Sequence, residues 1–101
     1  MWKLGEAQPA YQALERAHQL NADDSSTTDL LYVVTLELAK KSEASASDPE
    51  ALGYLKEAAN LKPAAPEPHQ RMIPIYARTG RSDQAKAEQQ KLDQLTKPSN
   101  N

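Results

Sequence analysis

Small and apolar residues recur at helical spacing in three stretches of the chain. In the first stretch, which starts at Ala10, offsets of 4, 7, 10 and 12 positions lead to Leu14, Ala17, Leu20 and Ala22. The same offsets counted from Ala51 lead to Leu55, Ala58, Leu61 and Pro63, and counted from Ala85 they lead to Gln89, Leu92, Leu95 and Lys97. Steps of three and four residues place side chains on one face of a helix, so each stretch predicts an amphipathic helix.

The three stretches are also related by their distances along the chain. The interval from Ala51 to Ala85 is thirty-four positions, whereas the interval from Ala10 to Ala51 is forty-one. The first interval therefore exceeds the second by seven residues. We assign these seven residues to the small and polar segment Ser42–Asp48, as a longer loop or as an extra turn on the helix before it.

The residues between these stretches predict two more helices, which gives five in total. The cluster Ser25–Asp29 offers capping side chains ahead of apolar residues at helical spacing. Pro9 and Pro49 suit the first turns of their helices. Pro74 is expected to kink the fourth helix, and Gly80 is expected to close it in the left-handed conformation. The predicted helices span residues 6–21, 26–42, 49–62, 67–79 and 82–96.

The composition agrees with an all-helical domain. The chain has 101 residues, enough for one small core, and its apolar residues are mostly 16 alanines and 12 leucines. Only two valines and two isoleucines are present, which are too few β-branched aliphatic residues for a sheet. Alanine is the best helix former and lets two helices approach closely. The expected fold class is therefore all-α.

The repeated helix–turn–helix unit resembles the tetratricopeptide repeat in its period and in several of its residues, and the match is best near the carboxyl terminus. Met72 and Tyr76 stand where that family places a leucine and a tyrosine. Gly80 stands at its inter-helix turn, and Ala85 at the small residue of its second helix. The resemblance implies an α-solenoid of antiparallel helix hairpins, wound as a right-handed superhelix.

The resemblance extends to the amino terminus in part. Leu4–Gly5 precedes Ala10 by the same five residues that separate Gly80 from Ala85, so Leu4–Gly5 is expected to be an inter-helix turn. Met1–Lys3 would then end an otherwise missing helix. About two and a half units result, as one domain over residues 1–97 with units at about 1–24, 25–65 and 66–97. Residues 98–101 are expected to form a frayed tail.

A binding surface follows from the same resemblance. In this family the first helices of successive units line a concave groove that holds peptides, so we expect a non-catalytic module or scaffold that binds a protein or peptide. An alternative is a structural or capping segment of a larger repeat protein with no specific ligand, and a helical repeat that binds RNA is a third possibility. The candidate groove residues are Asp29, Val33, Leu36, Glu37, Glu67, Gln70, Arg71 and Arg78.

Charge and motif content argue against other functions. A net charge of −2 and a pI near 5.6 give no electrostatic footprint for nucleic acid. The longest apolar run, Leu30–Val34, is too short for a membrane span, and no signal peptide is apparent, so the default location is the cytoplasm.

A calcium-binding loop starting at Asp23 is not expected, because Thr28 and Val34 stand where such a loop requires a glycine and a glutamate. We therefore expect no enzyme activity, no cofactor and no metal site.

The amino-terminal edge is a candidate for self-association. The first helix would normally pack against a preceding antiparallel helix, of which this sequence contains at most a few residues. An apolar edge formed by Trp2, Leu4 and Tyr11 would then be exposed, and exposed apolar surface often recruits a partner. The expected result is a weak homodimer with the same surface on both chains.

Ala58 provides a test of the predicted packing face. It lies in the middle of the second apolar stretch, where two helices are expected to approach closely. Replacing Ala58 with Leu should lower the free energy of unfolding by about 1–3 kcal/mol, because the larger side chain overpacks the contact. Urea denaturation measures this change, and an unchanged midpoint would show that Ala58 lies away from the packed face.

Overall fold

The computed structural model describes residues 4–96 of the chain, and these residues form five α-helices without a strand. Each predicted helix boundary lies within two residues of the observed one, so the prediction of an all-α fold with five helices is confirmed. The helices are α1 (Leu4–Leu20), α2 (Ser25–Ala44), α3 (Asp48–Leu61), α4 (Glu67–Arg78) and α5 (Ser82–Thr96).

Packing follows the order of the helices along the chain. The extensive contacts join α1 to α2, α2 to α3, α3 to α4 and α4 to α5. The connections are short: residues 21–24, 45–47, 62–66 and 79–81. Because each link holds only three to five residues, each helix lies against the one before it.

The main core lies between α2, α3 and α4. Ala39, Ala51 and Ala58 are completely inaccessible to solvent, and so is the larger Leu55. Methyl side chains at these positions let the helix backbones approach closely, as the sequence predicts for Ala58. The buried members of this cluster are Leu36, Ala39, Ala51, Leu52, Leu55, Ala58, Met72, Ile75 and Tyr76.

A smaller apolar cluster joins α1 to α2. Val34 and Leu38 are buried on the side of α2 that faces α1. Ala10, Tyr11 and Leu14 of α1 pack over them. Helix α2 therefore buries side chains against α1 as well as against α3 and α4.

The beginning of α1 differs from the prediction. Helix α1 begins at Leu4, so Gly5 is helical and the expected turn at Leu4–Gly5 is wrong. Pro9 is the sixth residue of the helix and does not mark its first turn. The helix tolerates this proline at the loss of one backbone bond, which its missing N–H would have made to the carbonyl of Gly5. Met1–Lys3 lie outside the described residues, as do the predicted tail residues 98–101.

The seven extra residues lengthen α2, as in the second of the two alternatives, but they lie at its start and not in Ser42–Asp48. The connections after α2 and after α4 have the same length of three residues. Helix α2 has 20 residues, whereas α4 has 12, so the difference lies in about two additional turns at the start of α2. Asp24 caps these turns by accepting a hydrogen bond from the backbone N–H of Ser26.

Helices α2 and α4 end in the same way, at positions that lie thirty-four residues apart in the chain. Gly80 after α4 has a φ angle of 79°, and Ala46 after α2 has a φ angle of 59°. Arg81 N–H donates to the Tyr76 carbonyl at 2.8 Å, and Ser47 N–H donates to the Ser42 carbonyl at 2.8 Å. Both ends are Schellman motifs, and the prediction of a left-handed closing residue at Gly80 is confirmed.

One buried polar group of α2 is unsatisfied. Thr35 is fully buried, and its hydroxyl has no hydrogen-bond partner among the described residues. A buried polar atom without a partner loses its hydration without compensation, which costs about 1–3 kcal/mol. Thr35 therefore reduces the stability of the packing on α2.

The two left-handed positions predict opposite effects of related substitutions. Ala46→Gly should raise the free energy of unfolding by about 0.5–1 kcal/mol, because removing a left-handed penalty of about 1–2 kcal/mol outweighs the greater backbone entropy of glycine. Gly80→Ala should lower it by a similar amount, although its added methyl meets no atom within 4 Å.

Gly53 is the matched control for these two variants, because it lies inside α3 and an added Cβ also meets open space. Gly53→Ala should raise the free energy of unfolding by about 0.5–1 kcal/mol. Thermal melting of the three variants measures these changes. The same sign for Gly80→Ala and Gly53→Ala would contradict the assignment of Gly80 as a left-handed cap.

Thr35→Val should stabilise the protein by about 1 kcal/mol, because valine has the same shape without the unpaired hydroxyl. Thr35→Ser keeps the hydroxyl, removes a buried methyl and should destabilise by about 1 kcal/mol. A shift of several degrees in Tm, upward for valine and downward for serine, is expected from a domain of this size. A lower Tm for Thr35→Val would mean that the hydroxyl is bonded in solution.

Candidate interaction surface on helices α2 and α4

Most of the predicted groove residues of α2 lie on one exposed stripe. Asp29, Val33 and Glu37 follow each other at intervals of four residues, and Leu30 lies beside them. Leu30 is 48% exposed and Val33 is 45% exposed, and the two lie three residues apart on the same side of α2. This stripe therefore presents apolar surface next to carboxylates.

Leu36 does not belong to this surface, and its prediction as a groove residue is wrong. Only 7% of Leu36 is exposed, and it packs in the main core with Ala39, Ala51 and Met72. Leu36 and Ala39 are three residues apart, so they share the face of α2 that turns towards α3 and α4. The inner face of α2 is therefore wider than the sequence pattern predicts, and it includes Leu36.

Helix α4 contributes an exposed proline and the backbone carbonyl one turn before it. Gln70 and Pro74 are both exposed and lie four residues apart. Proline has no N–H, so the carbonyl of Gln70 lacks the donor that would normally close this turn. Helix α4 continues past Pro74 to Arg78. The exposed face of α4 thus offers a backbone acceptor to a hydrogen-bond donor from another molecule.

Ion pairs within the fold engage the predicted charged residues of α4. Arg71 Nε lies 3.1 Å from Glu67 Oε2, and Arg71 Nη1 lies 3.5 Å from Glu43 Oε1 of α2. Arg78 Nη2 lies 2.6 Å from Asp48 Oδ1 at the start of α3. These side chains hold α4 against α2 and α3, so their charge is partly neutralised before any partner arrives.

The charged residues of α2 are paired in the same manner. Asp29 Oδ1 lies 2.6 Å from Lys62 Nζ, which also stands 5.5 Å from the ring centre of Tyr32. Glu37 Oε1 lies 3.5 Å from Lys40 Nζ one turn further along α2. The charges on the surface of α2 and α4 therefore largely compensate each other, which leaves Leu30, Val33 and the carbonyl of Gln70 as its distinctive features.

A buried pair between α4 and α5 was not predicted from the sequence. His69 Nδ1 lies 2.6 Å from Glu88 Oε1, and both residues are buried. The predicted inner stripe of α5 contained Gln89, but Gln89 is exposed and Glu88 points inward. Histidine in place of a large apolar residue was the available signal, because a buried imidazole requires a polar partner. The pair joins the last two helices.

Of the predicted self-association edge, the structure describes the side chain of Tyr11. Tyr11 is half-buried, and its ring meets Tyr54 of α3 edge to face at a centroid distance of 5.6 Å. Tyr11 therefore packs against other residues of the same chain, because it faces α2 and α3 together with Leu14. Trp2 lies outside the described residues, and the side chain of Leu4 is not described.

The Tyr11 hydroxyl lies between two carboxylates. Glu15 Oε2 is 2.9 Å from it, and Glu57 Oε1 of α3 is 2.5 Å from it. Burial and the two glutamates raise the pKa of Tyr11, so its hydroxyl stays protonated. Burial is the main cause that raises the pKa of Glu57, and the neighbouring charge of Glu15 adds to it.

Two cavities flank the contact of Tyr11 with Tyr54. The larger one, of about 460 Å³, lies between the end of α1, the start of α2 and the end of α3, and Glu15, His18 and Glu57 line it. The smaller one, of about 260 Å³, lies at the opposite end of these helices. Among the side chains that the structure describes, those of residues 8–96, no three His, Cys, Asp or Glu are arranged to hold a metal ion.

Comparison of the chain with protein families, curated proteins and solved structures finds no match. None of the five described helices is both long and apolar enough to cross a membrane. The geometry of the surface of α2 and α4 and the repeat pattern of the chain therefore provide the basis for a functional proposal.

Proposed function

We propose that this chain is a non-catalytic helical-repeat module of the tetratricopeptide type, which binds a protein or peptide partner. In this proposal the five helices are an α-solenoid fragment of about two and a half units, with α2 and α4 as the first helices of the second and third units. The partner lies across the exposed faces of α2 and α4.

The equivalent ends of α2 and α4 support the repeat assignment. Ala46 and Gly80 are left-handed closing residues, and each follows its helix within a three-residue connection. The next helices then carry Ala51 and Ala85, each five positions after its closing residue. Extensive packing between successive helices also suits a solenoid, because each unit of a solenoid contacts mainly its neighbours.

The observation that carries the binding proposal is the apolar pair Leu30 and Val33, about half exposed on the outer face of α2. Aliphatic side chains at the centre of an interface provide the non-directional part of binding. The free carbonyl of Gln70 on α4 provides a directional acceptor, and the paired charges around both features form a polar rim. An extended or helical peptide with one apolar anchor and a nearby donor fits this arrangement.

The alternative is a structural or capping segment with no specific ligand. The ion pairs that tie Arg71, Arg78 and Asp29 into the fold favour this alternative, because they give those side chains a structural role. The two proposals differ in one respect: only the binding module requires Leu30 and Val33 to contact another molecule.

Peptide selection followed by mapping distinguishes them. A library of random peptides is selected on the full chain, and an enriched peptide is titrated into the ¹⁵N-labelled protein. The binding proposal predicts chemical-shift changes centred on Leu30, Val33 and Gln70. Val33→Lys should weaken binding at least about tenfold, because a charge replaces an apolar contact worth about 1–2 kcal/mol.

Ala87→Lys is the matched control, because Ala87 is exposed on α5 and the substitution introduces the same charge away from α2. It should leave the affinity unchanged. Enriched peptides that bind Val33→Lys as tightly as the unchanged protein would overturn the proposed surface. Failure to enrich any peptide over several rounds would favour the structural alternative.

A further inference from the structure

The hydroxyl of Tyr11 faces more acceptors than it can serve. Glu15 Oε2 and Glu57 Oε1 lie 2.9 Å and 2.5 Å from the same oxygen atom. A phenol carries one hydroxyl proton, so it donates to one carboxylate at a time. If both glutamates are ionised, the second carboxylate oxygen meets a lone pair of the tyrosine oxygen at hydrogen-bond distance. One additional proton removes this conflict.

A proton on Glu57 completes the chain of hydrogen bonds. The carboxyl group of Glu57 then donates to the Tyr11 oxygen, and the Tyr11 hydroxyl donates to Glu15. The same proton removes one of two negative charges that face the Tyr11 hydroxyl in a half-buried site. We call the three side chains Glu15, Tyr11 and Glu57 the carboxyl–tyrosine bridge.

Two further titratable groups lie beside the bridge, Tyr54 against the Tyr11 ring and His18 in the adjoining cavity. Within the bridge, a hydrogen bond donated by Tyr11 lowers the pKa of Glu57 and so opposes its protonation. Besides Glu15, α1 contributes His18 to the adjoining cavity, where His18 Nδ1 lies 3.3 Å from Thr28 Oγ1 of α2. An imidazolium at His18 acts against protonation of Glu57 by attracting its carboxylate. Helix α2 lines the cavity with Thr28 and Leu31, which carry no charge. The cavity is open to solvent, so protons reach the bridge.

The bridge lies where α1 meets α3. The hydrogen bond of Tyr11 with Glu57 and the edge-to-face contact of Tyr11 with Tyr54 both join these two helices. Against α2, helix α1 is held by Ala10, Tyr11 and Leu14 on Val34 and Leu38. The bridge therefore adds a polar contact with α3 to the more extensive contact that α1 makes with α2.

We propose that proton uptake by the carboxyl–tyrosine bridge controls how firmly α1 docks on α3. Helix α1 is held most tightly in acidic solution and loosens as the pH rises and Glu57 loses its proton. Loosening of α1 uncovers Val34 and Leu38. The bridge therefore acts as a pH-sensitive latch over the smaller apolar cluster between α1 and α2. This inference is independent of the binding surface on α2 and α4.

The direction follows from linkage between protonation and docking. Burial raises the pKa of Glu57 when α1 is docked, whereas an undocked Glu57 is solvated and titrates at its ordinary value. A group with a raised pKa in the docked state contributes its full stabilisation below its ordinary pKa. That contribution is lost as the pH rises through the raised pKa, so docking weakens as the pH rises above the ordinary pKa of glutamate.

Hydrogen exchange of the full chain tests the latch. Exchange is followed by mass spectrometry at several pH values from pH 4 to pH 7.5, corrected for the intrinsic pH dependence of amide exchange, with peptides from α4 and α5 as internal reference. Protection of α1 relative to this reference should fall several-fold from the acidic to the neutral end of this range. Constant relative protection across this range would overturn the proposal.

Three variants identify the responsible group. Glu57→Gln carries a permanent amide donor in place of the proton, so its α1 should be well protected at pH 7.5 and should lack the pH response. Glu50→Gln removes an exposed carboxylate from the same helix and should keep the response of the unchanged protein. His18→Gln should also keep it. A response that survives Glu57→Gln and disappears in His18→Gln would overturn the proposal.

A titration of the unchanged protein keeps the proposal testable if Glu57→Gln fails to fold. The side-chain carboxyl carbon of Glu57, followed by ¹³C NMR, should titrate at a higher pH than an ordinary glutamate. Titration of Glu57 at the ordinary position would contradict the latch, because the docked state would then have no excess affinity for the proton.

Discussion

The close approach of α2, α3 and α4 is the constraint on which the rest of the structure depends. The chain has no phenylalanine and few β-branched aliphatic residues, so it has little bulk with which to fill a wide space between helices. It places alanine at fully buried positions such as Ala39, Ala51 and Ala58, which narrows the space instead. Leucine, methionine and tyrosine side chains then fill what remains around these contacts. Because the helices lie so close together, the connections between them must be short and the helix ends tight.

The division of α2 into faces follows from this constraint. One face carries Leu36 and Ala39 into the main core, and a second face carries Val34 and Leu38 under α1. The remaining face presents Leu30 and Val33 to solvent. The two apolar contacts of α2 thus leave a third apolar strip that nothing in the described part of the chain covers. The proposed partner surface and the proposed latch at α1 lie on different faces of the same helix.

Much of the fold could be predicted from the sequence, because the spacing of apolar residues and the residues that begin or end a helix act locally. Spacings of three and four residues located all five helices, and Gly80 was recognised because a helix end favours the one residue without a left-handed penalty. Ala46 takes the same conformation without glycine, so no local signal revealed it. The extra turns of α2 were misplaced because a length difference between repeats does not indicate where the added residues lie.

The candidate site was harder to predict, because it depends on which helix covers which face. Leu36 and Val33 are three residues apart on α2, and only the positions of α3 and α4 decide that Leu36 is buried. Glu88 is inside because His69 on another helix requires a partner. The contact of Tyr11 with Glu57 joins residues 46 positions apart, which no periodicity within one helix can reveal. Tertiary packing, rather than residue type, determines which of these side chains are buried and which contacts they make.

Nuclear Overhauser effects from the methyl groups of Leu36 and Val33 test the central claim most directly, because these two neighbouring residues mark the boundary between core and surface on α2. The account predicts that Leu36 methyl protons give strong effects to Ala51, Met72 or other core residues of α3 and α4. It predicts that Val33 methyl protons give effects only within α2. Strong effects from Val33 to α3 or α4, with Leu36 restricted to its own helix, would contradict the assignment of the exposed face and the function proposed for it.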